Sequence, residues 1–192
     1  MAESAPDSPA RPRRRHDPER RDRIIDACLD VIAERGVSGT THRLVAAAAD
    51  VSLGSMTYHF DGMADLLREA FERFARAFAA AFEARMERCD SPAEARSALV
   101  DHIVHGVFGT GRELILTQEL YTLAAREPAL RSITTRWMRS SRRTLERFFD
   151  PTTSAILDAL VEGMTLHRAL DTEPYDEGTV AAAIDRVAGD AR

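Results

Sequence analysis

The chain has 192 residues and a mass of 21.3 kDa, the size of one domain or of two small ones sharing a core. With 44% hydrophobic and 30% charged residues it is neither disordered nor fibrous, and a net charge of −5 argues against a nonspecific polyanion binder. The longest apolar runs, such as Ala77 to Phe82, fall far short of the roughly 20 residues of a membrane span, and two cysteines, Cys28 and Cys89, exclude a disulfide framework and a zinc site.

The order of charge along the chain says more than its sum. Every basic residue is Arg. From Arg11 to Arg23 there are seven Arg against three acids, whereas from Asp61 onward there are 17 Arg against 22 acids. A basic leading arm on an acidic body suits a protein that meets phosphate at one end only. Residues 1–18 hold four of the eight prolines and are expected to be a disordered, Arg-rich arm. That arm has no apolar signal-peptide core, so the expected compartment is the cytoplasm.

From about Glu19 the pattern becomes helical. Ile24, Ile25, Cys28, Leu29, Val31 and Ile32 recur at three- and four-residue spacings, and Gly36 stops this first helix. Thr40 and Thr41 cap a second helix over about 42–49, Asp50 to Ser52 break it, and a third covers about 53–59. After Asp61-Gly62 a long helix runs from about Met63 to Arg88. Ser91 and Glu94 then form a capping box, with Pro92 at the first position of a helix reaching about Phe108. Further helices are expected at about 112–126, from Pro128 to about Phe149 with Pro151 closing that region, at about 153–169, and at about 176–188. The expected fold is all-α, about nine helices and no strand.

The stretch 40–60, TTHRLVAAAADVSLGSMTYHF, carries the function. Two short helices on a tight turn present the second as a rod for the major groove. Leu44, Val45, Ala48, Val51, Met56 and Phe60 are the expected joint, and Ala46 to Ala49 keep side chains small at the crossing. Ser52, Leu53, Gly54, Ser55, Thr57, Tyr58 and His59 are left on the outer face, suited to phosphate oxygens and thymine methyls. Thr41 and His42 offer donors at the start of the second helix, and Arg43 is the long bidentate donor suited to guanine.

These residues resemble the DNA-binding domain of the TetR family of transcriptional regulators. The threonine pair Thr40-Thr41, the Val51-Ser52 and Gly54 of the turn, the Tyr58-His59-Phe60 ending, the first helix with its glycine and Leu66-Leu67 all match that pattern. Two positions depart from it: Thr57 stands where the family often has Tyr, and Met63 where it has a phosphate-contacting Lys. The resemblance implies a helix-turn-helix domain over 19–65 and a helical effector-binding and dimerisation domain over 66–192. It further implies a homodimeric, ligand-responsive regulator, a repressor rather than an activator, that reads a palindromic operator in double-stranded DNA.

In the body, Ala155, Ala159 and Gly163 recur every fourth residue, flanked by Leu160, and with Ile184 of the last helix they are the expected dimer interface. Phe74, Phe78, Phe108, Gln118, Tyr121, Trp137, Met138 and Met164 are the candidate lining of a pocket for a small hydrophobic effector. His102 and His105 share a helical spacing without a third ligand, so no metal or other cofactor is expected, and no catalytic motif appears. Cys28 reads as an apolar filler. Two rivals stay open on these residues: a regulator of the same shape controlled by a protein partner, and a helical enzyme or binding protein with a vestigial DNA-binding head.

Overall fold

A computed structural model describes residues 19–106 and 111–189. The leading arm and Phe108 lie outside them. Among the described residues all regular structure is helical. The elements are α1 (Arg20–Gly39), α2 (His42–Ala48), α3 (Leu53–His59), α4 (Met63–Met86), α5 (Pro92–Asp101), α6 (Arg112–Arg126), α7 (Arg131–Leu145), α8 (Pro151–Leu170) and α9 (Glu177–Ala188). A π-helical segment, His102–Gly106, extends α5, and a 3₁₀ turn, Pro128–Leu130, leads into α7. The π segment replaces the straight continuation to Phe108 that the periodicity suggests.

Local chemistry explains most boundaries. Gly36 interrupts α1 with φ 69° and ψ 170°, a conformation in which any β-carbon is strained. The Thr41 hydroxyl accepts from the Leu44 N–H to cap α2, and the turn to α3 is made by Asp50 in the left-handed region (φ 52°). Ser91 caps α5 as expected, with the Glu94 carboxylate accepting from the Asp90 N–H one residue earlier than in the standard box. At α8 the structure corrects the reading: Pro151 opens the helix instead of closing the preceding region. The Asp150 carboxylate caps it by accepting from the Thr152 and Thr153 N–H groups.

Two hydrophobic cores stack along α4. The upper one joins Ile24, Ile25, Cys28 and Ile32 of α1 to Val45, Met56, Leu66 and Phe71, and also to Leu116 and Leu120 of α6. The lower one joins Phe82 and Met86 of α4 to Leu99, Leu145, Leu157, Val161, Val180 and Ile184. The helix-turn-helix therefore has no core of its own. Within its joint, Ala46 and Ala49 are buried while Ala48 faces solvent, which corrects the expected role of Ala48. Ile184 is fully buried in the lower core, so its side chain is not on a surface that another chain could meet.

Ion pairs fasten α1 from outside. Arg73 of α4 engages Asp22 and Asp26, the latter at 2.8 Å, and Arg112 of α6 engages Asp30 at 2.7 Å. Arg21 pairs with Glu69 at 2.7 Å. Exposed pairs of this kind contribute little each, so the apolar face does most of the fastening. Met56→Ala opens a cavity beneath α3 and is expected to lower the melting temperature by roughly 5–15 °C, read by circular dichroism.

Candidate DNA-reading face and effector cavity

Helix α3 turns Met56 inward and leaves its other face in solvent. Tyr58 is 84% exposed and Leu53 54%, high values for side chains with so much apolar surface. Ser52, Gly54 and Thr57 are exposed beside them, while Ser55 and His59 are half-buried. The hydroxyls are held locally: Ser52 and Ser55 share a hydrogen bond of 3.1 Å, and Thr57 donates to the Gly54 carbonyl at 3.2 Å. The Tyr58 and His59 rings meet edge to face at 4.9 Å. Burial, then the charges of Arg20 and Arg21, hold His59 below its ordinary value and favour the neutral ring in the free protein. Arg43 and Thr41 are exposed at the start of α2, with His42 half-buried between them. Of the ten residues named from the sequence, seven thus lie on α3 or at its cap and three at the start of α2. Thr40, by contrast, is buried, and its hydroxyl donates to the Gly36 carbonyl at 2.8 Å.

A second site lies where the two cores meet. Phe78 and Phe82 of α4, His102 of the π segment, Thr117 and Tyr121 of α6, Trp137, Met138 and Ser141 of α7, and Asp158 and Glu162 of α8 surround a cavity of about 70 Å³. The aromatic groups are ordered against one another. Trp137 meets Phe78 edge-on at 5.0 Å and lies parallel to Tyr121, with centroids 6.1 Å apart. His102 meets Phe82 edge-on at 5.1 Å.

Of the eight pocket residues chosen from sequence, Phe78, Tyr121, Trp137 and Met138 line this cavity. Phe74 stands behind them, packed on Phe78 and Trp137. Met164 belongs to the lower core, Gln118 is half-buried away from the lining, and Phe108 lies outside the described residues. The polar members, Asp158, Glu162, Thr117 and His102, were not foreseen as pocket groups. A usable signal was present: Asp158 and Glu162 stand four apart in the apolar middle of their helix, and so on one face of it.

These polar groups are set in unfavourable surroundings. Asp158 keeps only 10% of its side-chain surface and receives a 2.9 Å hydrogen bond from Arg142 Nε, yet burial still raises its carboxyl above the ordinary range. Glu162 is exposed as a residue, but its carboxyl lies beside Tyr121 at the cavity edge and is likewise raised, by burial first and then by the neighbouring Asp158 charge. Burial pushes the Tyr121 phenol up, with the bond to Glu162 adding to it. The Thr117 hydroxyl oxygen is buried with no hydrogen-bond partner. A buried carboxylate such as Asp158 and a buried hydroxyl such as Thr117 gain from a polar group placed against them.

His102 and His105 part company: one faces the cavity, the other is exposed. Among the described residues no group of three His, Cys, Asp or Glu side chains is arranged to hold a metal ion, and no helix is long and apolar enough to cross a membrane. Burial pushes the Cys28 thiol up to about 12, so it stays protonated and inert.

A helix-turn-helix with an exposed outer face, set on a helical body that holds a cavity, is the architecture of a DNA-binding regulator of transcription. The family model for bacterial regulatory proteins of the tetR family matches residues 24–70, and that for the tetracyclin repressor-like C-terminal domain matches residues 90–190, so the chain belongs to the TetR family. The solved structure of the SCO7518 protein of Streptomyces coelicolor A3(2) is 50% identical, covers 89% of this chain and 99% of its own, and superposes with a TM-score of 0.85. The multidrug binding protein EbrR, complexed with ethidium, is 34% identical over 89% of this chain and 99% of its own, with a TM-score of 0.72. The transcriptional regulator BetI of Burkholderia mallei (strain NCTC 10229) is 29% identical over 166 residues, 82% of this chain and 85% of that protein.

Burial, with a contribution from the Arg85 charge, lowers His102 from 6.5 to about 4. The unfolded chain therefore takes up a proton at His102 before the folded one does, and stability falls as pH drops from 6.5 to about 4. The raised carboxyls act in the opposite sense, so the test is a difference between proteins. The melting temperature of His102→Gln should fall less over this pH window than that of the parent.

Proposed function

We propose that the protein is a homodimeric repressor that binds a palindromic operator through α3 and α2 and releases it when a planar aromatic cation enters the cavity between the cores. The observation that carries the ligand reading is the pair of raised carboxyls, Asp158 and Glu162, set in an aromatic wall. A neutral hydrophobic ligand would leave the Glu162 carboxylate without a charge partner. An aromatic cation stacks on Trp137 and Tyr121 and meets the charge of Glu162, while Arg142 already neutralises Asp158. EbrR, over a third identical in some of its complexes, is described with ethidium, proflavin and malachite green, and this likeness supports the choice.

The cavity volume supports induction. About 70 Å³ is several times smaller than the roughly 300 Å³ or more of a site for a drug-sized ligand, so the part of an occupant that enters it displaces the lining side chains. The walls include α6, which shares the upper core with the reading head. Ligand and operator then oppose each other by the same factor in both directions.

Two copies are proposed to pair through α8. Ile156, Ala159, Leu160, Gly163, His167 and Leu170 follow three- and four-residue spacings, with Ile156 49% and Leu170 65% exposed. Apart from the backbone of α8 itself, nothing among the described residues lies within 4 Å of the place a β-carbon would take on Gly163, which leaves room for a partner helix. Pairing lets two α3 helices enter successive major grooves about 34–36 Å apart. The head at 19–65, the effector and dimer body at 66–192 and a cytoplasmic site of action follow from this reading.

Two measurements test it. With DNA from the region upstream of its own coding sequence, the parent should show a steep salt dependence, about −0.9 in log–log slope per phosphate contact. Arg43→Ala and Tyr58→Ala should each weaken binding by roughly five-fold or more, and wild-type affinity in both would dismiss α2 and α3 as the reading face. In the second, Glu162→Gln should weaken ethidium binding by about ten-fold or more in a fluorescence titration. Because the raised carboxyls lose their charge above the ordinary carboxylate range, parent affinity for ethidium should fall as pH is lowered from 8 to 5, more steeply than that of Glu162→Gln.

A further inference from the structure

Between the cavity and the helix-turn-helix stands one polar contact that neither site requires. The Val37 N–H donates to Glu119 Oε2 at 3.1 Å, across 82 residues of sequence. Val37 follows the break in α1, where Gly36 turns the backbone through φ 69°. A β-carbon on Gly36 would sit 2.7 Å from Glu119 Oε1, so the glycine serves both the turn and the approach of the carboxylate. The same corner is tied forward to the head. Thr40, buried, donates to the Gly36 carbonyl at 2.8 Å, and Thr41 next to it caps α2.

The other side of α6 is the cavity wall. Thr117 and Tyr121 lie two residues before and after Glu119, which on a helix of 3.6 residues per turn places them on the face away from it. The side chains that meet an occupant and the side chain that holds the corner are thus opposite faces of one rigid turn. About seven residues earlier on α6, the Arg112 pair with Asp30 ties α6 to the straight part of α1, before the break. That pair anchors the helices; the Glu119 contact is the polar one that reaches the segment leading into α2, beside the Val37 side chain packed on the upper core.

We propose that Glu119 is the positioning residue through which the cavity governs the reading head: its carboxylate holds the Gly36–Val37 corner, and outward movement of Thr117 and Tyr121 carries it off that corner. The proposal rests on the cavity reading above for its ligand-bound half only. Its ligand-free half concerns the corner itself: with the Val37 N–H held, the entry into α2 has one direction; once freed, the link from Val37 to Thr41 turns about Gly36 and the two heads of a dimer lose their common spacing.

The test compares the full-length parent with Glu119→Ala and with Glu119→Gln, which keeps an acceptor oxygen. The readouts are amide exchange at Val37, ethidium binding without DNA, and affinity for upstream DNA with and without saturating ethidium. In Glu119→Ala the Val37 amide should exchange at least ten-fold faster. Ethidium should bind within three-fold of the parent affinity, and the factor by which ethidium weakens DNA binding should shrink at least ten-fold. Glu119→Gln should keep that factor within three-fold. Parent-like coupling in Glu119→Ala, or parent-like exchange at Val37, overturns the proposal. If ethidium does not bind the parent, the cavity reading has failed on its own account. The clamp is then decided without ligand, because Glu119→Ala and not Glu119→Gln must weaken DNA binding at least five-fold, and unchanged affinity overturns it. Should Glu119→Ala not fold, the parent alone decides: unchanged Val37 protection with ethidium bound overturns the clamp.

Discussion

The apolar face of α1 is the constraint on which the rest of the molecule depends. Helices of seven residues, such as α2 and α3, are too short to be stable alone and bury too little surface to form an independent core. They are stable because Val45, Ala46, Ala49 and Met56 close against Ile24, Cys28 and Ile32, and α1 in turn closes against Leu66, Phe71, Leu116 and Leu120. The reading head is therefore seated on α4 and α6 through α1, and its orientation depends on theirs. A tethered, self-contained head would be free of the body. This one is coupled to it by the shared need to keep apolar surface from water.

The seam between the two cores is the place where such a molecule can be disturbed at least expense. Above it the packing is continuous from Ile24 to Ile133, and below it from Phe82 to Ile184. At the seam there are aromatic rings, two raised carboxyls, an orphaned Thr117 hydroxyl and a histidine kept neutral by burial. The ring contacts favour the folded protein, whereas the raised carboxyls, the orphaned hydroxyl and the neutral histidine do not. Stability conceded at one point in return for binding is a common pattern of functional sites, and here the concession lies between two well-packed regions that hold the fold without it.

Much of this was legible in the residues. The apolar period of α1, the breaks at Asp50 and Asp61-Gly62, and the caps at Thr41 and Ser91 are local signals, and the helices they imply agree with the structure to within a few residues. The motif ending in Tyr58-His59-Phe60 marked both the head and its outer face. Where the reading strayed, a neighbour distant in sequence decided the outcome. Ala48 and Ala49 are chemically identical, and only the position of α1 buries one and exposes the other. Ile184 carries the same apolar signal whether it meets a partner subunit or, as it does, the lower core of its own.

The sequence by itself determined the helices, the class of fold and the face of α3 left to solvent, because periodicity and capping act within a turn or two of chain. Only the tertiary structure decided that Asp158 and Glu162 stand against Trp137 and Tyr121, and that Glu119 reaches back 82 residues to the corner at Gly36. The physical reason is that helix spacing states which face is apolar and not which helix it will meet. A carboxylate on an otherwise apolar helix acquires a role only when packing brings it either a positive charge or a backbone N–H.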